Sequence, residues 1–392
     1  MIYSSFQDKQ LSLLGFGAMR LPTVDGRIDE EQVAHMVRLA MEQGVNYFDT
    51  AWPYHGGTSE IVMGKVLNRY PRESWYLADK YPGHQIASTY NPAEIFEQQL
   101  KKCGVEYFDF YLLHNVYENS MDVYLDPQWG ILDYFLEQKR LGRIRHLGFS
   151  SHGSVENLAE FLEKAGRHME FCQIQLNYLD WTLQQAREKA ALLNRWNIPI
   201  WVMEPLRGGR LCRLTAQEEA ALAALRPDET ATAWAFRFLQ EVDGVKMILS
   251  GMSETAQMQE NLATFRERRP LNNAETQALL ALAEGMKNSV PCTACRYCTP
   301  HCPMGLDIPM LLATYNDLQF LATTNSAMRV EFLPPEKKPD ACIGCGACAA
   351  ICPQKIDIPL ALQGLTAKMK TIPSWAQICK EREEAARRLA GK

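Results

Sequence analysis

The sequence predicts an α/β protein in which a closed barrel of eight parallel strands is followed by a second, mainly helical domain. Two observations support this prediction. Between residues 11 and 268, short β-branched or aromatic runs alternate with amphipathic stretches of helical period, as in a parallel sheet with crossover helices. Beyond them, eight of the twelve cysteines lie between residues 292 and 352. A chain of 392 residues also exceeds what one hydrophobic core usually supports.

Eight runs have the composition of barrel strands. They are Leu13 to Met19, Asn46 to Thr50, Trp75 to Lys80, Phe108 to His114, Arg145 to Ser150, Phe171 to Leu176, Ile200 to Met203 and Lys246 to Leu249. Eight strand–helix units in roughly 260 residues match a (β/α)8 TIM barrel. An open doubly wound sheet competes with it, but Gly15-Phe16-Gly17-Ala18-Met19 lacks the third glycine of a dinucleotide fingerprint.

Helix signals and composition shifts set the expected domain boundaries. Capping patterns start helices at Asp29 with Gln32, at Thr182 with Gln185, and at Asn91 before Pro92. We expect the barrel at 1–270, a linking helix at 271–290, a cysteine-rich domain at 291–375 and a charged terminal helix at 376–392.

Composition and charge narrow the function classes. Hydrophobic residues make up 47% of the chain and charged residues 22%, and the net charge of −5 is spread without a long run of either sign. Neither nucleic acid nor a membrane is therefore expected as a partner. The first residues lack a basic segment followed by an apolar one, and no apolar run approaches the roughly 18 residues that span a bilayer. We expect a cytoplasmic protein that acts on a small-molecule substrate.

The clustered cysteines form two runs of identical spacing. Cys292, Cys295, Cys298 and Cys302 precede Pro303, and Cys342, Cys345, Cys348 and Cys352 precede Pro353, each run reading C-x2-C-x2-C-x3-C-P. This is the ligand pattern of two-cluster ferredoxins, in which the fourth cysteine of each run binds the other [4Fe-4S] cluster. We therefore predict two crossed ligand sets in a mainly helical, ferredoxin-like domain. Zinc is the alternative, but it is usually held by two separated C-x2-C pairs.

Four polar residues fall at or just after the carboxyl ends of consecutive predicted strands. Asp49 ends the second strand, Tyr54 lies in the following loop, and Lys80 and His114 end the third and fourth strands. Catalytic residues of (β/α)8 barrels come from this face. A phenol is a poor acid–base group at neutral pH unless an ammonium stabilises its anion, and a buried ammonium needs a carboxylate. The set therefore suits proton transfer to a carbonyl oxygen.

About two thirds of the chain resembles the aldo/keto reductases. The segments that carry the resemblance, in the family's order, are NYFDTAWPYHGGTSE, YLADKYP, FYLLHN, LGFSSH, CQIQLNYLD, EPLRGGRL and SGMSETAQMQEN. The resemblance implies that Tyr54 is the proton donor, that Lys80 and Asp49 form its neighbouring ion pair, and that His114 orients the substrate carbonyl.

The resemblance also implies an NAD(P)H site. The resemblance implies that the nicotinamide carboxamide is bound by Ser150, Ser151, Gln173 and Asn177. It implies that the adenosine end is bound by Gly251, Ser253, Gln257, Glu260 and Asn261. The EPLRGGRL segment adds Pro205, Leu206, Arg207 and Gly209 to the implied cofactor site. Two positions depart from the family. Met203 replaces an aromatic ring that stacks on the nicotinamide, and Glu254 replaces a basic residue near the 2′-phosphate, so a preference for NADPH is not inherited.

Joining the two domains raises an electron-counting problem. A nicotinamide gives two electrons as hydride, whereas a cluster passes one at a time. A flavin could divide the pair, with Arg207, Gly208, Gly209 and Arg210 receiving its phosphate. We expect an iron–sulfur oxidoreductase that reduces a carbonyl or conjugated small molecule and exchanges electrons with a ferredoxin- or flavodoxin-like partner. The alternatives are an electron-transfer subunit whose barrel is a docking scaffold and a flavin-containing reductase.

Overall fold

The computed structural model describes residues 1–85, 87, 89–286, 290–320, 324–374 and 377. The predicted terminal helix at 376–392 lies outside them, except for Gln377. Contacts divide the chain into two compact units. The first comprises Met1–Leu206 and Leu211–Glu284, and the second groups Arg207–Arg210 with the residues from Gly285 onward.

The first unit is built on a closed barrel of eight parallel strands, as predicted. In chain order the strands are β1 (Tyr3–Phe6), β2 (Lys9–Ser12), β3 (Leu14–Gly17), β4 (Thr23–Val24), β5 (Arg27–Ile28), β6 (Tyr47–Asp49), β7 (Tyr76–Tyr81), β8 (Phe108–Leu113), β9 (Ile144–Ser151), β10 (Cys172–Gln175), β11 (Ile200–Met203) and β12 (Val245–Gly251). The barrel runs from β3 through β6 to β12 and closes between β12 and β3. All eight predicted runs form barrel strands, with ends shifted by at most two residues.

A hairpin closes the amino-terminal end of the barrel. β1 and β2 pair in antiparallel fashion. The Phe6 ring lies 5.0 Å from the Trp201 ring and 5.6 Å from the Phe110 ring, measured between centroids. Aromatic side chains therefore fill this end of the barrel. A binding site is expected at the opposite end, which is formed by the carboxyl ends of the strands.

Helices surround the barrel. They are α1 (Glu30–Glu42), α2 (Ser59–Leu67), α3 (Pro92–Cys103), α4 (Met121–Leu125), α5 (Ile131–Arg140), α6 (Val155–Ala165), α7 (Asp180–Leu183), α8 (Ala186–Arg195), α9 (Ala216–Ala223), α10 (Ala231–Gln240), α11 (Thr255–Thr264) and α12 (Asn273–Met286). Asp29 and Asn91 cap α1 and α3 as predicted. The predicted cap at Thr182 is wrong, because Thr182 lies inside α7 and α8 begins after Gln185 without a side-chain cap.

The boundary between the units lies later than the predicted residue 270. Contacts place the chain up to Glu284, and with it most of α12, in the barrel unit. Arg226 donates to both carboxylate oxygens of Glu275 at 2.8 and 2.7 Å, and Leu279 and Ala283 are buried. The helix predicted as a linker is thus packed and ion-paired within the first unit, which a sequence window does not reveal.

The second unit is mainly helical, as predicted. Its helices are α13 (Ile308–Phe320), α14 (Thr324–Glu331), α15 (Ala347–Ala350) and α16 (Ile358–Met369), and its core includes Leu311, Leu318, Val330, Leu362 and Leu365. Every cysteine of the second run lies 50 residues after its counterpart, and the repeat extends to Asp307 and Asp357 before α13 and α16. The two halves of the unit are therefore built alike.

No helix among the described residues combines the length and the apolarity needed to cross a membrane. The cytoplasmic location remains a prediction.

Candidate active site and cysteine sites

Three neighbouring strands bring the four predicted catalytic residues together. Asp49 is the last residue of β6, Lys80 is the penultimate residue of β7, and His114 directly follows β8. β6 pairs with β7, and β7 pairs with β8. Tyr54 begins a short 3-10 turn, Tyr54–Gly57, in the loop after β6.

The four side chains are buried and in contact. Lys80 Nζ donates to Asp49 Oδ1 and, at 2.7 Å, to the carbonyl oxygen of Thr50. The same ammonium lies 5.0 Å from the centroid of the Tyr54 ring. The rings of Tyr54 and His114 lie 6.0 Å apart, edge to face. An ammonium, a phenol and an imidazole thus lie together at the carboxyl ends of the strands.

Burial sets the protonation states. It raises the pKa of Tyr54 well above its usual value, with Asp49 and Glu204 adding to the rise. Burial also raises the pKa of Asp49, although Lys80 opposes that shift, and it lowers the pKa of His114 well below its usual value. The expected lowering of the phenol pKa by Lys80 is therefore not found. At neutral pH Tyr54 carries a proton to give, and the His114 imidazole is neutral.

Unusual backbone holds the Tyr54 turn in place. His55, Gly56 and Gly57 have φ values of 50, 62 and 86°. Two of these left-handed positions are glycine, which adopts them at no steric cost. The His55 imidazole accepts a hydrogen bond from the backbone N–H of Leu21 at 3.1 Å. The turn is thus anchored to the segment that follows β3.

The residues expected to bind the nicotinamide carboxamide lie on or just after the neighbouring strands β9 and β10. They differ in whether their polar atoms already have hydrogen-bond partners. Ser150 accepts from the Asn115 backbone, and Ser151 accepts from that of Gly153. Gln173 Oε1 is buried without a hydrogen-bond partner among the described residues, as suits an acceptor for an amide N–H. Asn177 Nδ2 donates to Asp180 and Glu204, and its oxygen accepts from Leu179 and Asp180. Asn177 is therefore engaged by its own loop and by Glu204, which follows β11.

The residues implied for the adenosine end surround the start of α11. Gln257 accepts from the Ser253 backbone, and Ser253 Oγ donates to the carbonyl of Arg20. Asn261 donates to Ser250, and Glu260 accepts from Thr230. Gly251 ends β12, and Glu254, at the N-cap position, makes no side-chain cap to α11. The first turn of α11 thus keeps uncapped N–H groups, which suit a phosphate.

The Arg207–Arg210 segment packs within the second unit. Gly208 and Gly209 have φ values of 65 and 87°. A Cβ atom on Gly208 would lie 2.3 Å from the carbonyl oxygen of Thr293, the neighbour of Cys292. The close approach and the backbone shape explain both glycines without a bound phosphate. Pro205 and Arg207 are buried, whereas Leu206 is half-buried.

Sequence reasoning missed several polar residues near the site. Arg20 and Glu204 form an ion pair of 3.3 Å, and both act on the Tyr54 phenol electrostatically. The His84 ring lies 4.5 Å from that of His114, and burial lowers the pKa of His84 to about 4. The available signal was position, since Arg20 and Glu204 follow the ends of β3 and β11.

The eight clustered thiols line two cavities of the second unit. Cys302, Cys342, Cys345 and Cys348 line one, and Cys292, Cys295, Cys298 and Cys352 line the other. Their volumes, open mouths included, are about 310 and 300 Å³. Each cavity takes three thiols from one run and the fourth from the other, which is the division that the spacing predicts. Burial and the thiols of Cys295, Cys292 and Cys352 raise the pKa of Cys298 to about 12.

The backbone between the cysteines repeats as well. Ala294 and Arg296 in the first run have φ values of 55 and 66°, and Gly344 and Gly346 occupy the same places in the second with 69 and 76°. The Ala294 N–H donates to Cys292 Sγ at 3.4 Å. Such turns direct N–H groups toward the sulfurs, as iron–sulfur sites require. The residues present therefore fit one cubane cluster in each cavity.

Fold and site together define an α/β-barrel oxidoreductase with a cysteine-rich redox domain. Residues 13–284 match the model of the aldo/keto reductase family, and residues 291–356 match that of the 4Fe-4S dicluster domain. The chain belongs to the aldo/keto reductase family and carries a 4Fe-4S dicluster domain after the barrel.

Curated relatives match the barrel part of the chain. NADH-specific methylglyoxal reductase of Escherichia coli is 23% identical over 71% of this chain and 97% of its own length. L-galactose dehydrogenase of Arabidopsis thaliana is 25% identical over 71% of this chain and 92% of its own. The match to probable aldo-keto reductase 1 of Glycine max, at 27% identity, spans 52% of this chain and 58% of that protein.

Solved structures share the barrel fold. The thermostable aldo-keto reductase Tm1743 superposes with a TM-score of 0.59 at 21% identity, over 72% of this chain and all of its own. The holo form of aldo-keto reductase AKR11C1 from Bacillus halodurans gives 0.57 at 25% identity, over 72% and 95%.

Proposed function

We propose that the chain is an iron–sulfur oxidoreductase that reduces a carbonyl or conjugated small molecule at the barrel mouth. The observation that carries this proposal is the buried Lys80–Asp49 pair next to the Tyr54 ring. Burying an ion pair costs desolvation energy, and a docking scaffold has no need of one beside a phenol. The pair therefore favours an enzyme over an electron-transfer subunit.

The four side chains divide the proton chemistry. As negative charge develops on the substrate oxygen, Tyr54 gives it a proton, and Lys80 stabilises the phenolate that remains. Asp49 keeps the buried ammonium charged. Neutral His114 donates its N–H to the same oxygen and fixes the direction of the carbonyl.

Bound NAD(P)H would supply the hydride to the carbonyl carbon. Ser150, Ser151 and Gln173 would hold its carboxamide, and the first turn of α11 would hold a phosphate. Glu254 stands at that turn and would repel a 2′-phosphate. We therefore expect NADH to serve at least as well as NADPH, and the similar Escherichia coli reductase is NADH-specific.

The two cysteine cavities would each hold one [4Fe-4S] cluster. Each cluster passes one electron at a time, whereas a bound nicotinamide already supplies both electrons of the carbonyl reduction as a hydride. Electron exchange between the clusters and a nicotinamide would therefore need a carrier of both kinds, such as a flavin, to divide the pair. A ferredoxin- or flavodoxin-like protein would be the one-electron partner. The clusters would exchange electrons with that partner one at a time.

Deuterium transfer tests the hydride step. Anaerobic protein is incubated with NADH deuterated at C4 of the nicotinamide and with a panel of small dicarbonyl and hydroxycarbonyl compounds. Because Asp49, Tyr54, Lys80 and His114 (the tetrad) suit proton transfer to a carbonyl that receives hydride, one deuterium should appear on the former carbonyl carbon. Mass spectrometry would detect it. Product that forms only with a reduced one-electron carrier and carries no deuterium would refute direct hydride transfer.

A further inference from the structure

A second group of buried acids lies next to Lys80 and takes no part in the proposed proton chemistry. Asp79 in β7 and Glu60 in α2 have no exposed surface. Asp79 Oδ1 accepts the backbone N–H of Lys80 at 2.8 Å. The Glu60 carboxyl is the neighbouring acid that acts on Asp79, through its charge and through a side-chain hydrogen bond that both raise the pKa of Asp79. Two carboxylates cannot make such a bond unless one holds a proton.

The surrounding charges indicate which of the two acids holds the proton. Glu60 Oε2 accepts from Lys102 Nζ at 2.8 Å, and its Oε1 accepts from Gln99 at 2.9 Å. Lys80 is already paired with Asp49. Two ammonium groups thus face three carboxyl groups, and within the described part of the chain Asp79 is the acid without a salt bridge. Burial and the nearby Glu60 charge raise the pKa of Asp79 well above its usual value.

The contacts of the acid pair extend to Lys80 and to the loop that contains Tyr54. Gln99 Nε2 also donates to the carbonyl oxygen of Lys80 at 3.1 Å, so the Lys80 backbone is held at both its N–H and its C=O. Lys102 Nζ lies 3.6 Å from the centroid of the Trp52 ring. Trp52 is two residues before Tyr54, and the Lys102 contact therefore touches the loop that presents the proton donor.

We propose that Asp79 is a neutral acid that donates its proton to Glu60, and that the pair positions Lys80 and, through Lys102, the Tyr54 loop. Both are positioning residues, because neither contacts the reacting atoms. The positioning role rests on the proposed function, whereas the shared proton does not. The titratable groups that face the pair are Lys80 in β7, Lys102 and Cys103 in α3, Tyr111 in β8, and Tyr54 in the loop after β6.

Infrared spectroscopy tests the proton directly. A protonated carboxyl group has a carbonyl stretch separate from that of a carboxylate. The wild-type protein at neutral pH should show such a band, and Asp79→Asn should lose it. Asp109→Asn is the matched control, because Asp109 forms a salt bridge to Arg72 instead of an acid pair. Spectra of wild type and Asp79→Asn that do not differ in this region would overturn the shared proton.

Kinetics separate positioning from mere packing. An asparagine at position 79 can still accept from the Lys80 N–H and donate to Glu60, so Asp79→Asn should keep kcat within about twofold. Asp79→Ala removes both contacts and should lower kcat about a hundredfold, with the KM for nucleotide unchanged. A uniform loss in both variants, or a change confined to KM, would contradict the positioning role.

The pH dependence of stability gives a readout that needs no activity. A carboxyl group whose folded pKa is raised contributes stability at low pH, and this contribution is lost as pH rises through the folded pKa. Asparagine does not titrate. Asp79→Asn should therefore gain in denaturation midpoint relative to wild type as pH rises from the ordinary aspartate pKa of 3.8 toward the raised folded pKa. Parallel curves would refute the neutral acid, even if Tyr54 proved inactive in every assay.

Discussion

Replacing Tyr54 by phenylalanine is expected to lower kcat by about a hundredfold to ten-thousandfold, the usual contribution of a general acid. Only one buried hydroxyl is removed, so the fold, nucleotide binding and both clusters should remain. The measurement is the steady-state rate of carbonyl reduction, with the circular dichroism and visible spectra of the variant recorded alongside.

Tyr47→Phe is the matched control. Tyr47 is a fully buried tyrosine of the same barrel, but its ring packs against Phe110 and Trp201, which also contact Phe6 of the β1–β2 hairpin. It should retain wild-type kcat. Because burial raises the pKa of Tyr54, the donor stays protonated as pH rises through neutrality, and reduction should decline only above the ordinary tyrosine pKa of about 10. Wild-type turnover in Tyr54→Phe would refute the assigned proton donor.

The second large effect concerns the division of the cysteines. Cys352→Ser should remove the cluster of Cys292, Cys295 and Cys298, because Cys352 lines their cavity. About four of eight iron atoms per chain should be lost. If Cys352 and Cys292 serve one cluster, the double variant should lose no more iron than either single variant. Cys352→Ser combined with Cys342→Ser should lose both clusters.

Cys212→Ser is the control for this series. Cys212 lies outside both cavities, in the barrel unit, and its replacement should leave the iron content unchanged. The measurement is iron and acid-labile sulfide per chain after anaerobic purification. Additive loss in the Cys352 and Cys292 double variant, with non-additive loss in the Cys352 and Cys342 variant, would show that each run binds its own cluster.

The fold was largely predictable because it depends on local periodicity. β11 was predicted at Ile200 to Met203 and found there, since a buried strand of a parallel barrel is a continuous apolar run bounded by polar residues. The role of α12 was not predictable. Its amphipathic pattern would suit a linker or a packed helix, and only the distant Arg226 partner of Glu275 decides between them.

The candidate site was also predictable only in part. Asp49, Lys80 and His114 could be predicted because chain order places strand ends side by side in a barrel. The pKa of Tyr54 could not, because it depends on total burial and on Glu204, which is distant in sequence. Asp79 and Glu60 were missed for a similar reason. A buried acid pair has no sequence period, and its meaning depends on how many cations lie nearby.

We propose that one protein carries both a proton-donating barrel and two iron–sulfur clusters. Metal and sulfide analysis of the anaerobically purified chain tests this most directly. It should contain about eight iron atoms and about eight acid-labile sulfides per chain. Material that contains zinc and no acid-labile sulfide would contradict it.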